Sequence, residues 1–399
     1  MRRVGIRERR ARLALRHRLV SAVWAGSVVE VARSLVALHS TDPASVVLTA
    51  AARVRAGGAE IDAFERALYD QRTLVRILGM RRTMFVVPRE LVPVVQAACT
   101  RAIATLERRR LVQLLEQTGI TGPGDGENWL RQAEEATVDA LLARGQAVAS
   151  ELSAAVPALR AQFSFGKGKK WAGTQSICTR VLFLLAADGR IVRGRPRGSW
   201  TSSQYRWVPM ESWFDGGVGD LPAAEAQAEL ARRWLAAFGP ATAADLKWWT
   251  GWTGAEVKRA LAQVRPAEVE VEGAGRETGF VLADDLDPVP APEPWAALLP
   301  ALDPTVMGWP DRSWFLASYG PALFDRSGNA GPTVWWDGRV VGGWAQRLDG
   351  EIAFRLLEDI GTDGVAAVQT AADRLGAWLG DVRVTPRFRT PLERELSAD

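Results

Sequence analysis

The 399 residues carry a net charge of +4, 47% apolar residues, two cysteines and two histidines. That composition excludes a disordered chain and a disulfide framework, and it leaves too few thiols and imidazoles for a structural zinc site. No stretch approaches the roughly 18 uncharged apolar residues of a membrane span.

Taken in order, the chain opens on MRRVGIRERRAR, which superficially resembles a twin-arginine export signal, but Arg16, His17, Arg18 and Glu30 interrupt the apolar run behind it. The reading is a cytoplasmic protein. VVEVARSLVAL, PASVVLTAAARV and IDAFERALYD show helical spacing, and LVRILGM and TMFVVP form a hairpin around Arg81-Arg82. A long helix from about Glu90 to Gln117 and a loop at TGITGPGDGEN follow.

A second round repeats the layout. ENWLRQAEEATVDALLARG predicts a helix stopped at Gly145, AVASELSAAVPAL a second and GTQSICTRVLFLLAADG a third. IVRGRP and QYRWVPM are then strands around RGSWTSS. In a third round AAEAQAELARRWLAAFG, TAADLKWWTG and TGAEVKRALAQV precede the strands EVEVEG and TGFVLA.

From about residue 288 short aromatic and β-branched runs take over, with Asp337-Gly338 as a hairpin turn, one helix in GVAAVQTAADRLGAWLG and a last strand at RVTPRF. The expected fold is mixed α and β: three tandem winged-helix units (1–120, 121–215, 220–287) followed by a C-terminal β-barrel (288–399). No heptad zipper is visible, which predicts a monomer.

The charge is unevenly distributed. Residues 1–110 hold 21 arginines and 9 acidic residues, a net +12, and the remainder nets −8. A basic N-terminal portion is an electrostatic footprint for nucleic acid; a solvated arginine face is the plainer account. GKGKK at 166–170 lacks the spacing of a nucleotide-binding loop, so no nucleotide cofactor is expected; Lys167, Lys169 and Lys170 suit DNA phosphates or a solvated loop. Arg193 and Arg195, on the wing of the second unit, allow the same two readings, as do Arg81 and Arg82 on the first. Tryptophans in KWWTGW, VWWDG and GGW invite base stacking, but alternating aromatics in strands usually belong to the core.

LVALHSTDPAS, residues 35–45, holds one of the two histidines. Asp42-Pro43 is a helix start, the carboxylate as cap and proline in the first turn. His39 and Thr41 precede it, two residues apart, and in an extended segment they project to the same side. Imidazole and hydroxyl together can hold and activate a water; a histidine filling a helix connection is the alternative.

VVEVARSLVALHSTDPAS, LVRILGMRRTMFVVP, LLPALDP and VWWDGRVVGGW resemble the AlkZ-type winged-helix DNA glycosylases, over roughly residues 10 to 385. The resemblance implies three winged-helix units on a C-terminal β-barrel and cleavage of the N-glycosidic bond of alkylated purines in duplex DNA, bulky adducts and interstrand crosslinks included. It also implies a catalytic Gln-x-Gln, or Gln-x-Asp, at the positions where this chain has His39 and Thr41; Asp42 beside them is a candidate accessory residue. The partner is then damaged double-stranded DNA, and no cofactor or metal is required.

An N7-alkylguanine is already cationic, so the site must supply a positioned water rather than a strong acid. A neutral His39 with the ordinary histidine value predicts activity falling as pH drops through about 6.5. Residues 1–166 contain no lysine, so the N-terminal site offers no amine for a Schiff base and the glycosylase is expected to be monofunctional. A non-catalytic winged-helix DNA-binding protein, a regulator or adduct sensor, is the second reading.

Overall fold

The computed structural model describes every residue except 56, 57, 59, 167, 170, 171, 274 and 399. The architecture is mixed α and β and winged-helix-like, and its helices and strands fall into successive groups, or units. The first runs through helices Val28–Ser34 and Pro43–Ala51, with the two-residue strand Leu38–His39 between them. Helix Ile61–Glu65 then widens into a π-helical turn over Arg66–Asp70, before strands Leu74–Gly79 and Thr83–Pro88.

Thr83–Pro88 lies between the other two strands, so the short strand carrying His39 is an edge, with His39 opposite Phe85. All six residues of Leu74–Gly79 are buried. Both faces of this sheet are therefore covered, and the buried Arg76 in its middle is the exception that needs explaining. Asp42 caps the second helix by accepting from the Ala44 amide at 3.1 Å, as Asp-Pro predicted.

In the second unit helix Gly126–Arg144 stops at Gly145, whose φ of 72° suits glycine. Helices Ala149–Ala155 and Cys178–Ala187 and strands Ile191–Pro196 and Tyr205–Pro209 follow. The helix expected over GTQSICTRVLFLLAADG begins late. Gly173–Ser176 instead pairs with Gln162–Phe165 as an inserted hairpin. Gly, Thr and Ser are poor helix formers, and the Ser176 hydroxyl accepts from the Cys178 amide at 3.2 Å, starting the helix there. Gly166, Gly168 and Lys169 thus lie between the two strands of a hairpin rather than at the approach to a helix. Lys169 is exposed there, while Lys167 and Lys170 lie outside the described residues.

The third unit comprises helices Ala223–Phe238, Ala243–Thr250 and Gly254–Val264 and strands Ala267–Glu272 and Arg276–Val281. Thr242 with Asp245, and Thr253 with Glu256, cap its second and third helices reciprocally. Its sheet recruits the first residues of the chain: Arg2–Val4 pairs in parallel with Val269–Val271. The N-terminal arginines that follow are largely consumed inside the fold. Arg12 binds Glu8 at 2.9 Å and Asp285 at 2.8 Å, Arg16 also binds Asp285, and Arg10 donates to the Trp314 carbonyl.

The C-terminal region is not a barrel. Its four strands, Ala296–Leu299, Thr333–Trp336, Arg339–Gln346 and Ile352–Leu356, form an open antiparallel sheet in that order. RVTPRF, expected as the last strand, is irregular, and helix Pro391–Ala398 follows it. The physical reason is that both faces already have covers. Helix Gly361–Leu379 packs Val368, Ala372 and Leu379 against Val334, Val341, Trp344 and Ile352 on one side. Leu392 and Leu396 join Trp335, Ala345 and Ala353 on the other. A sheet buried on two faces by helices has no need to curl on itself.

Asp337-Gly338 is the hairpin turn expected, with φ of 45° and 77°. Of the late tryptophans, Trp335, Trp344, Trp249 and Trp252 are buried core, while Trp248 and Trp336 are half-buried. Among the described residues no helix is long and apolar enough to cross a membrane, and no group of three His, Cys, Asp or Glu is placed to hold a metal ion.

Candidate active site and nucleic-acid interface

The edge strand ends at His39, the Ser40 amide still bonds to the Met84 carbonyl at 2.8 Å, and the chain then bends through Thr41 into the Asp42 cap. Strand pairing therefore holds His39, whereas Thr41 stands on the bend. His39 is 8% exposed and its ring meets Phe85 edge-on at 5.3 Å. Nδ1 is buried without a hydrogen-bond partner, and so is the Ser40 hydroxyl. Burial, and then the positive charge of Arg81, push the imidazole down to about 3, so it is neutral throughout the physiological range.

Thr41 is partly exposed, and its carbonyl accepts from Arg387 at 3.4 Å. No hydrogen bond joins His39 to Thr41 among the described residues. Asp42 uses one carboxylate oxygen for the Ala44 amide and the other for the Arg387 amide at 3.1 Å, so it ties the bend to the C-terminal segment.

Around this stretch stand two groups of arginines. Arg81 and Arg82 form the two-residue turn of the first wing, both in the left-handed region with φ of 52° and 59°, a conformation that costs a side-chain-bearing residue about 1 kcal/mol or more. Arg81 lies over the Trp248 ring at 4.0 Å, and Arg312 lies over the same ring at 5.4 Å. Arg81 Nε and Arg312 Nη2 are buried and unpaired. Burial first, and the like charge of Arg81 second, pull Arg312 down to about 10. Arg82 behaves differently: it is exposed and paired with Glu107 at 2.8 Å.

On the other side, Arg76 donates to the Tyr205 hydroxyl at 2.5 Å and to the Ser40 carbonyl at 3.4 Å. Arg193 lies 5.4 Å from the Tyr205 ring centre and 5.3 Å from that of Trp207. Arg195, two residues along the same wing, is bound to Glu65 and, at 3.0 Å, to Asp70.

A family profile described as DNA glycosylase AlkZ-like matches residues 32–378. The chain belongs to the AlkZ-like family. Among solved structures, the Streptomyces sahachiroi DNA glycosylase AlkZ superposes with a TM-score of 0.73 at 20% identity, over 96% of this chain and 99% of that one. At that identity the likeness is one of fold. No curated protein matches the chain at a significant level.

Within this AlkZ-like chain the structure draws together residues far apart in sequence. Arg81 comes close to both His39 and Arg312, and Arg193 to both Arg76 and Arg387. It leaves Lys169 on the separate hairpin. Sequence reasoning missed Arg76, Arg312 and Arg387. Arg76 had one signal, a charge inside an otherwise apolar strand, LVRILG. Arg312 and Arg387 had none, because only folding brings them near.

Proposed function

We propose that this protein is a monofunctional DNA glycosylase that hydrolyses the N-glycosidic bond of alkylated purines in duplex DNA. The observation that carries the reading is a buried, neutral His39 with an unpartnered ring nitrogen, held on a sheet edge beside Arg81, which has no carboxylate partner among the described residues. Such an imidazole accepts a hydrogen bond from water and does not repel a cationic alkylated base, as an imidazolium would.

In the reaction the bond between C1′ and the base nitrogen breaks with its electron pair moving onto the base, which cancels the charge left by alkylation. The water oxygen bonds to C1′. Its proton then leaves to His39 Nδ1 and on to solvent. An oxonium on C1′ is acidic enough to give its proton to a weakly basic imidazole. Thr41 fixes the water through its hydroxyl, and Asp42 acts indirectly by holding the bend against Arg387. Arg81, Arg82, Arg193 and Arg195, with Lys167, Lys169 and Lys170, are the proposed phosphate contacts. The internal ion pairs of Arg82 and Arg195 make those two the weakest, since a phosphate must displace a carboxylate there.

The low basicity of His39 revises the pH expectation. Its neutral form persists far below 6.5, so base release per folded molecule stays level between pH 8 and 5. The test is an abasic-site assay on duplex DNA carrying N7-alkylguanine, comparing the protein with His39→Ala. Alkali-dependent strand cleavage in the first and its loss in the second support the proposal, and strand cleavage without alkali rejects monofunctional chemistry. The 8% exposure of His39 favours a second reading, a DNA-binding protein without chemistry. Tight binding of the same duplex with no abasic sites would establish it.

A further inference from the structure

We propose that Arg76, Arg193 and Arg387 form an anion pocket that takes one backbone phosphate of DNA beside the nucleotide under attack. The identity of the ligand rests on the DNA-acting function above; the pocket itself rests on geometry. The three side chains come from the first unit's sheet, the second unit's wing and the segment after the last long helix. They are graded in depth. Arg76 is 4% exposed, Arg193 is partly buried and Arg387 is exposed at the mouth.

None of the three has a carboxylate partner among the described residues. The acceptors of Arg76 are neutral, the hydroxyls of Tyr205 and Tyr69 and the Ser40 carbonyl, and its Nε is buried with no partner at all. Arg387 donates to the Thr41 carbonyl. Arg193 has only the faces of Tyr205 and Trp207. The acids in the neighbourhood are engaged elsewhere: Glu65 and Asp70 hold Arg195, and both oxygens of Asp42 are occupied by amides. The like charges sense one another, for burial first, then Arg76 and Arg387, bring Arg193 down to about 10.

A fold does not gain stability by sheltering uncompensated like charges, and at two other sites in this one the charge is matched. Arg108 is surrounded by Glu127, Glu134 and Asp188, and the fully buried Arg53 is matched by Asp303. The missing counter-charge in the three-arginine group is therefore the ligand's. Guanidinium forks suit the oxygens of a phosphate. A diester of a polymer fits better than a free phosphate because Arg193 also lines a cleft along the wing. Arg193, Arg197, Ser150, Ser203 and Gln204 line that cleft, with no acidic residue among its walls. The cleft shares Arg193 and Tyr205 with the three-arginine group, and Arg76 and Arg387 tie that group to the Ser40-Thr41 backbone.

The experiment uses the whole chain, Arg193→Met, and the double variant Arg76→Met/Arg193→Met. Binding of a short undamaged duplex is followed across salt concentrations, and melting temperature is followed with and without inorganic phosphate. The expected result is weaker DNA binding, with the slope of log affinity against log salt smaller by about one. In phosphate-free buffer the melting temperature of Arg193→Met should stay level or rise, because a repulsion has been removed. A fall in melting temperature with an unchanged salt slope would make these arginines structural and overturn the proposal. Stabilisation of the native protein alone by inorganic phosphate, again with an unchanged slope, would assign a free-phosphate site and overturn the DNA assignment. A reduced slope supports it whether or not free phosphate stabilises the protein. Undamaged DNA separates the two ideas: a reduced slope without base release anywhere leaves the pocket standing without the glycosylase, and base release with an unchanged slope does the reverse.

Discussion

The two histidines occupy opposite kinds of interior. His17 is wholly buried, with Nδ1 2.9 Å from the Thr305 hydroxyl and Nε2 3.2 Å from the Ala237 carbonyl, and its ring packs on Phe238 and Trp309. Beside it all five N–H groups of Arg53 find acceptors: the His17 and Thr49 carbonyls, both oxygens of Asp303 and the Thr305 hydroxyl. His39 has a buried nitrogen with no partner, next to a buried Ser40 hydroxyl and an Arg76 Nε in the same condition. Buried polar groups are expensive unless satisfied, so a complete network reads as architecture and an incomplete one as a place prepared for something else. The Arg53–Asp303 pair joins the first unit to the C-terminal region. It also explains the LLPALDP stretch, whose aspartate is Asp303.

The sharpest way to break this contrast is to cut the satisfied network. Asp303→Ala strands a guanidinium with no exposure and should cost about 3–5 kcal/mol in denaturant unfolding; a loss below about 1 kcal/mol would refute the architectural reading. Next come the histidines themselves. His39→Ala should lower base release by about 100-fold or more with a small change in melting temperature. His17→Ala should do the reverse, costing about 3 kcal/mol of stability while the folded fraction keeps its activity. Matching profiles for the two variants would erase the distinction.

Acid sharpens it further. Both histidines are held near 3 in the fold against about 6.5 when unfolded, so the unfolded chain takes up protons first as pH falls. The stability present above 6.5 is lost between about 6.5 and 3, at roughly 1.4 kcal/mol per pH unit for each histidine within that window. Melting temperature should therefore decline below pH 6.5 while base release per folded molecule stays level; activity that falls through 6.5 in fully folded protein would contradict the low basicity of His39. The smallest effect concerns the wing. Arg82→Gly relieves a left-handed residue and forfeits a half-exposed pair with Glu107, for a net gain of about 0.5 kcal/mol.

Local chemistry was legible because its causes lie within a few residues. Asp42-Pro43 caps a helix, Gly145 ends one, Asp337-Gly338 turns a hairpin, and the repeated order of helices and strands follows from hydrophobic period. His39 was visible as a candidate on the same grounds. The barrel was misread because alternating strands look alike whether a sheet closes or is covered, and the helix Pro391–Ala398 that helps cover it has no partner within its own stretch of chain. The hairpin inside the second unit was hidden within a run with an apolar end that suggested a single helix.

The charged residues divide most clearly. Sequence determined how many arginines stand near the N-terminus; only tertiary structure decided which are spent. Arg12, Arg16, Arg82 and Arg195 are engaged by carboxylates, the first two by a single acid, Asp285, more than 260 residues away, whereas Arg76, Arg193 and Arg387 meet without any. Charge and residue type are properties of the chain, but the counter-charge a side chain finds depends on contacts across the whole molecule, and those exist only once it has folded.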